Sequence, residues 1–170
     1  MTSRVCVSIA ESSPKKVYSQ LRKSLADADY AEIRLDFLKP SQIPFCLTIV
    51  RSYLKRCICT LRPVNEGGKF QGSEKERLSI LKLVAEFDPY ILDVEYNTLK
   101  NNSEFAKYLK KTKTNVMVSW HDFNKTPDSK NLRMMLKKMS RYSNNVKIVT
   151  TSKSIRDTIQ ILSLYKIKPP

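Results

Sequence analysis

The only histidine of the 170-residue chain, His121, follows the mostly apolar stretch 116–120 and opens the sequence His121-Asp122-Phe123. An imidazole can both accept and donate a proton near neutral pH, which makes it the usual general acid and base of enzymes. A histidine satisfied by hydrogen bonds at the end of a strand is the alternative. The residues that accompany His121 favour the catalytic interpretation.

Lys147 interrupts a second apolar stretch, between Val146 and Ile148. A lysine is rare on the inward face of a barrel strand, because burial of an unpaired ammonium group costs free energy. Burial would therefore favour the neutral amine, which attacks ketones to form a Schiff base. A protonated imine acidifies the neighbouring carbon, so a β-hydroxyl group can leave while His121 moves the protons. A structural ion pair with Asp93 or Glu95 is the alternative.

Glu95 ends another strand pattern and is predicted to point to the same side as His121. A carboxylate in that position can accept the other imidazole N–H and fix the tautomer. An ion pair of Glu95 with Arg34 or Lys147 is the alternative.

Arg62 shortly precedes a glycine pair, Gly67-Gly68. Its guanidinium suits a carboxylate or several hydroxyl groups, because the planar fork donates two parallel hydrogen bonds. A salt bridge to Glu66 at the rim of a barrel is the alternative.

Alternating strand and helix patterns must position these side chains. Strands are predicted at 4–10, 30–36, 57–62, 90–95, 115–120 and 146–150. Helices are predicted at 13–27, 40–56, 73–87, 99–111, from 126 onwards and at 153–165. Strict alternation of this kind implies a parallel sheet covered by helices.

Charged and polar residues recur on one face of strands two to six, opposite an apolar face. They are Glu32, Arg34, Asp36, Thr60, Arg62, Asp93, Glu95, Ser119, His121 and Lys147. A doubly wound sheet is apolar on both faces, whereas the second face of a barrel is its interior and catalytic groups gather at the C-terminal rim. The pattern therefore predicts an α/β fold of the TIM-type (β/α)8 barrel class, with residues 1–170 forming a single domain of about six units.

The chain carries 31 Lys and Arg against 16 Asp and Glu, a formal charge of +15. This charge would attract nucleic acid, anionic lipid or a small anionic substrate. The basic residues are scattered over the predicted helices, so a nucleic-acid-binding module ranks below an enzyme with an anionic substrate. Four cysteines and one histidine form no zinc set, and reduced, buried thiols are expected. No stretch is typical of a signal peptide or a membrane span, which predicts a cytoplasmic protein.

The sequence resembles the type I 3-dehydroquinate dehydratases, the Schiff-base enzymes of the shikimate pathway. The resemblance rests on five motifs in order: Glu32-Ile33-Arg34-Leu35-Asp36; Thr60-Leu61-Arg62 with Glu66-Gly67-Gly68; Leu92-Asp93-Val94-Glu95; Ser119-Trp120-His121-Asp122-Phe123 with Lys125-Thr126-Pro127; and Val146-Lys147-Ile148. Each motif is weak alone, but five in order are a specific signal.

The resemblance implies dehydration of 3-dehydroquinate to 3-dehydroshikimate by a lyase that uses no metal and no cofactor. Lys147 would form the imine, and His121 would be the general acid and base with Glu95 as its partner. The implied substrate-binding residues are Ser8, Glu32, Arg34 and Arg62. The resemblance also implies a homodimer. From the composition, neither a membrane nor a specific nucleic acid is expected as a partner.

The family pattern has eight strand–helix units, whereas about six are predicted here. The last two units of the pattern carry a substrate-binding arginine and a serine and glutamine of the final loop. We therefore expect either a fragment of a longer chain or a barrel completed from elsewhere, and a fragment without turnover is the main alternative. Another Schiff-base barrel, such as an aldolase, would share Lys147 but need not share the Glu-x-Arg and His-Asp-Phe motifs.

Overall fold

A computed structural model describes residues 4–166. The sheet in this part of the chain has six strands: β1 Cys6–Ile9, β2 Tyr30–Arg34, β3 Cys57–Thr60, β4 Ile91–Glu95, β5 Val116–Asp122 and β6 Asn145–Thr150.

The α-helices that cover the sheet are α1 Pro14–Asp27, α2 Ile43–Ile49, α3 Glu74–Glu86, α4 Tyr96–Asn101, α5 Ser103–Lys111, α6 Ser129–Met139 and α7 Ile155–Ser163. Short 3-10 helices lie at Leu35–Phe37, Pro40–Gln42, Arg51–Arg56, Val64–Glu66 and Leu164–Lys166. Within the described range, no helix combines the length and the apolar character needed to cross a bilayer.

The strands lie in chain order, β1 to β6, and every neighbouring pair is parallel. A doubly wound sheet would reverse its strand order at a switch point. The order found here winds in one direction, as in a barrel, so the predicted fold class is confirmed. β1 and β6 form the two edges of this six-stranded sheet.

The outward face of the sheet and the inner stripes of the helices form the apolar core. Leu21 of α1 and Ile33 of β2 are fully buried there, together with Cys59 of β3. The four cysteines are free thiols, and burial raises the pKa of Cys57 to about 12. The expectation of buried thiols was wrong for Cys6, which is exposed on the edge strand β1.

Two predicted helices are interrupted. The stretch 40–56 contains only the seven-residue α2 between two 3-10 helices. Helix α2 ends with Thr48 and Ile49, and Val50 is its C-cap residue. All three side chains are β-branched, and such side chains lose rotamer freedom against the preceding helical turn, which disfavours a longer helix. The stretch 99–111 is divided at Asn102, whose backbone is not helical, and α4 begins already at Tyr96, directly after β4.

The predicted start of α6 at Thr126 and Pro127 was wrong. Asp128 is the N-cap, because its side chain accepts a hydrogen bond from the Asn131 N–H, and the helix begins at Ser129. Ser73 caps α3, because its side chain accepts a hydrogen bond from the Glu76 N–H.

Candidate active site

Polar side chains of the first three strands meet on the inner face of the sheet. Glu32 accepts hydrogen bonds from Ser8 Oγ at 2.9 Å and from Thr60 Oγ1 at 2.7 Å. Ser8 lies opposite Glu32 in the strand register, so the alternation of side chains places both on one face. The structure thus brings two of the predicted substrate-binding residues together.

Arg62 lies at the centre of this inner face and is buried. One guanidinium nitrogen donates to Glu95 Oε1 at 2.8 Å and to Ser119 Oγ at 2.6 Å, and the other donates to Asp93 Oδ2 at 2.7 Å. Burial lowers the pKa of Arg62, but the two carboxylates outweigh it and raise that pKa above its ordinary value. The alternative salt bridge to Glu66 is not formed; Arg62 binds the acids of β4 instead.

Lys147 projects from β6 into the same cluster. Its Nζ lies 3.4 Å from Asp93 Oδ2, and its side chain is 33% exposed. The expectation of an unpaired, buried ammonium was therefore wrong, because Lys147 takes the ion pair that was the alternative interpretation. Asp93 is already held more closely by Arg62, so the amine of Lys147 has the longer contact and keeps an open side.

Asp93 joins the two cations. Burial raises the pKa of this carboxyl, but Arg62 and Lys147 lower it more strongly and the net pKa is below its usual value. Its second oxygen accepts from Ser119 Oγ at 2.5 Å. The sequence had placed Asp93 on the inner face without assigning it a role in the site.

The partner of His121 is Glu66. His121 Nδ1 lies 3.1 Å from Glu66 Oε2, and both side chains are nearly buried. A carboxylate oxygen can only accept, so Nδ1 carries a proton, and in the neutral ring Nε2 is therefore the acceptor. The other oxygen of Glu66 accepts from Asn97 Nδ2 at 3.3 Å.

Glu95 does not contact His121, which corrects the predicted partnership. Its Oε2 accepts from Arg77 Nη1 at 2.6 Å, while Oε1 accepts from Arg62. Neither alternative ion pair, with Arg34 or Lys147, is formed. Burial raises the pKa of Glu95, the two arginines lower it, and the net pKa lies above its usual value.

Arg77 was missed by the sequence analysis. It is buried on α3 and donates to Glu74, Glu95, the Leu61 carbonyl oxygen and Thr98. Burial lowers the pKa of Arg77, but Glu74 and Glu95 raise it to a net value above the ordinary one.

A periodicity signal for Arg77 was present. Leu81 and Val84 follow at the i+4 and i+7 positions and are buried on the same face of α3. That spacing places a charged residue on the inner stripe of a helix, where it requires a buried partner.

Arg34 pairs with Asp36, not with another predicted substrate-binding residue. Its guanidinium donates two hydrogen bonds to Asp36, at 2.9 and 2.7 Å, and this pairing raises the pKa of Arg34. Asp36 also accepts from the Lys69 N–H at 3.0 Å, which ties the loop after β3 to the end of β2. Arg34 is therefore fixed at the mouth of the site and keeps part of its surface open.

The arrangement places an amine and an oriented imidazole on adjacent strands. Ser119 of β5 lies opposite Lys147 in the strand register, and His121 follows two residues further along β5 on the same face. Such a pair can form an imine and transfer protons next to it. Among residues 4–166, no group of three or more histidine, cysteine, aspartate or glutamate side chains is placed to hold a metal ion.

A family model described as type I 3-dehydroquinase matches residues 5–168. The chain is 36% identical over 150 residues to a 3-dehydroquinate dehydratase of Dehalococcoides mccartyi, which covers 88% of this chain and 64% of that protein. It is 30% identical over 167 residues to a 3-dehydroquinate dehydratase of Methanocaldococcus jannaschii, with 97% and 74% covered.

Among solved structures, the type I 3-dehydroquinate dehydratase of Clostridium difficile with covalently modified comenic acid superposes with a TM-score of 0.86. The two sequences are 25% identical, and the match covers 98% of this chain and 71% of that one. The chain therefore spans about two thirds to three quarters of the length of these proteins.

Proposed function

The chain belongs to the type I 3-dehydroquinase family, and on that premise we propose that it carries the catalytic core for dehydration of 3-dehydroquinate to 3-dehydroshikimate. The observation that carries the proposal is the placement of Lys147 beside the His121–Glu66 pair, on adjacent strands of one barrel face. An amine and an imidazole are the two groups that a Schiff-base dehydration requires.

Lys147 is the proposed nucleophile. Its ammonium group first passes one proton to solvent, and the resulting neutral amine adds to the carbon of the substrate ketone. Return of one proton to the hydroxyl group of this adduct lets the former ketone oxygen leave as water, and a protonated imine remains. Asp93, 3.4 Å from Nζ, supplies a negative charge that stabilises the ammonium ion before it loses its proton and the protonated imine after it forms. The partial exposure of Lys147 leaves room for the substrate to approach.

His121 is the proposed general base and acid. Its Nε2 removes a proton from the carbon next to the imine, and the imidazolium then donates a proton to the departing hydroxyl group, which leaves as water. Glu66 accepts the Nδ1–H throughout and so stabilises the positive charge on the ring. We assign this supporting role to Glu66 in place of Glu95.

Ser8, Glu32, Arg34 and Arg62 remain the proposed substrate-binding residues. Ser8 and Glu32 offer hydroxyl and carboxylate oxygens to substrate hydroxyl groups, and Arg34 offers a cation at the mouth of the site. Arg62 acts on the substrate mainly through the two carboxylates that it holds. The proposal needs no metal or cofactor.

The proposal extends to organisation and location. Residues 1–170 would form one barrel domain with six strand–helix units and would assemble as a homodimer. A cytoplasmic location is supported by four free thiols, which fit a reducing compartment. Light scattering of the purified chain and cell fractionation test these two points.

Borohydride trapping tests the assignment of Lys147. The chain is incubated with 3-dehydroquinate, reduced with borohydride and analysed by intact and peptide mass. A substrate-sized adduct on Lys147 is expected, absent in Lys147→Ala and retained in Lys137→Ala, which removes an exposed lysine of α6. An adduct that survives in Lys147→Ala contradicts the assignment, and no adduct in the wild type contradicts a complete site in this chain.

The proton-transfer step is tested with three variants in the same assay. His121→Ala should trap the imine but slow dehydration by about 10²–10⁴-fold, the usual contribution of a general acid and base. Glu66→Gln should slow dehydration, whereas Glu95→Gln should mainly lower stability, because Glu95 bridges two buried arginines. A larger loss of dehydration with Glu95→Gln than with Glu66→Gln would mean that Glu95, and not Glu66, supports His121 during proton transfer.

A further inference from the structure

Phe123 is an exposed aromatic residue beside the only histidine of the chain. Its side chain is 55% exposed, and it lies in the loop that follows β5. The ring stacks on the imidazole of His121, with the centroids 5.8 Å apart and the planes at 14°. One face of the ring is thus occupied by the imidazole.

Gly67 provides a second contact for the same ring. Its backbone has φ +78°, and a Cβ on this residue would lie 2.6 and 2.7 Å from two carbons of the Phe123 ring. The ring therefore rests against a position where only a hydrogen fits, and any side chain would displace it. Gly67 follows Glu66 directly, so the ring restrains the segment that carries the carboxylate.

The backbone of Phe123 is held from the other side. Thr151, just after β6, donates its Oγ1 hydrogen to the Phe123 carbonyl oxygen at 2.8 Å and its N–H to the Asp122 carbonyl oxygen at 3.0 Å. The ring thus projects from an anchored loop onto Gly67. It connects the end of β5, which carries His121, with the loop after β3, which carries Glu66.

We propose that Phe123 is a positioning residue that seats on Gly67 and thereby holds the Glu66 carboxylate against His121 Nδ1. The contact fixes the tautomer in which Nε2 is the free acceptor. It also covers one side of the imidazole, which is nearly buried although it lies near the end of its strand. The catalytic consequence rests on the proposed function, but the tautomer itself does not.

Nuclear magnetic resonance of ¹⁵N-histidine-labelled protein tests this role. The chain has a single histidine, so one pair of imidazole nitrogen signals reports the tautomer without assignment. At a pH where the ring is neutral, the wild type should show the Nδ1–H form. Phe123→Ala should shift the signals towards the tautomer mixture of free histidine.

Two further variants control the experiment. Gly67→Ala displaces the ring from the opposite side and should move the histidine signals in the same direction. Phe45→Ala removes an equally exposed phenylalanine (54%) of α2 and should leave them unchanged. Wild-type signals in both Phe123→Ala and Gly67→Ala would overturn the proposal, as would an equal shift in Phe45→Ala.

Measurements of imine trapping and of dehydration distinguish a failure of this inference from a failure of the proposed function on which it rests. Phe123→Ala should leave borohydride trapping on Lys147 intact while slowing dehydration, because it disturbs His121 and not the amine. Dehydration at the wild-type rate in a variant with altered histidine signals would overturn the catalytic part. Failure of the wild type to form any imine would refute the proposed function and leave the tautomer measurement to decide the role of Phe123.

Discussion

Helices α1 and α7 come from the same kind of sequence pattern but are packed very differently. Each begins after a serine N-cap and carries an apolar stripe. Leu21 and its neighbours on α1 are buried against the sheet, whereas α7 contains no buried residue and Ile155 is 80% exposed. An amphipathic stripe therefore establishes that a helix forms, but not that its whole apolar surface has a partner.

On the inner face of the sheet, charged side chains connect the last strand to the middle of the sheet. Lys147 of β6 contacts Asp93 of β4, and Asp93 in turn holds Arg62, which follows β3. On the outer face, the β6 residues Val146 and Ile148 are only half-buried. The ion pair of Lys147 thus ties β6 to β4 in addition to these half-buried apolar contacts.

The largest expected effect comes from breaking this inner contact. Asp93→Asn should lower the free energy of unfolding by about 3–5 kcal/mol, because it leaves Arg62 buried with one acid fewer. Urea denaturation near neutral pH measures the loss. Asp88→Asn is the control, since its pair with the exposed Lys55 should contribute at most about 1 kcal/mol. Equal losses in the two variants would contradict the importance of the inner contact.

The Asp93 effect should depend on pH in a defined direction. The folded-state pKa of Asp93 is depressed below the ordinary value of about 3.9, so its charge contributes stability above that value. The contribution is lost as the pH falls through the folded-state pKa. The difference between wild type and Asp93→Asn should therefore shrink on acidification below about pH 3.9, and a difference that grows there would contradict the shift.

A matched leucine pair sharpens the comparison of apolar packing. Leu47 of α2 is fully buried and Leu162 of α7 is exposed. Leu47→Ala should cost about 2–5 kcal/mol by leaving a cavity, and Leu162→Ala no more than about 0.5 kcal/mol. Thermal or urea unfolding checks both. A large loss in Leu162→Ala would mean that the stripe of α7 is covered in solution.

The smallest expected effects concern the helix caps. Ser13→Ala and Ser154→Ala each remove a side chain that accepts a backbone N–H, worth about 1 kcal/mol. In α1 the loss should lower global stability, because the helix is packed into the core. In α7 it should mainly accelerate local amide exchange. An equal fall in the global unfolding midpoint for Ser154→Ala and Ser13→Ala would contradict the expected difference between the packed helix α1 and the exposed helix α7.

Much of the fold was predictable from alternation alone. Residues two apart on a strand share a face, so the sequence placed Glu32, Thr60, Asp93 and Lys147 on one side before any contact was known. Helix boundaries were less predictable. The break at Asn102 depends on how α4 leaves β4, and local propensity does not carry that information.

The site was predictable by residue type but not by pairing. His121 and Lys147 were identified from their chemistry, and they lie on the face that was expected. Glu95 was assigned to His121 because it shares that face, yet the imidazole contacts Glu66. Glu66 lies in a 3-10 helix outside any strand. Side chains there do not alternate between two faces, so strand alternation could not predict the direction of Glu66.

The sequence by itself determined which side chains face inward, because strand alternation and helical periodicity are local properties of the backbone. Only the tertiary structure decided which of them touch. Several acidic and several basic side chains face inward, so each basic side chain has more than one possible acidic partner. Which ion pairs form depends on the distances across the barrel. Arg77 reaches Glu95 from a helix, and the turn at Gly67 brings Glu66 to His121, so those contacts arise only when distant segments meet.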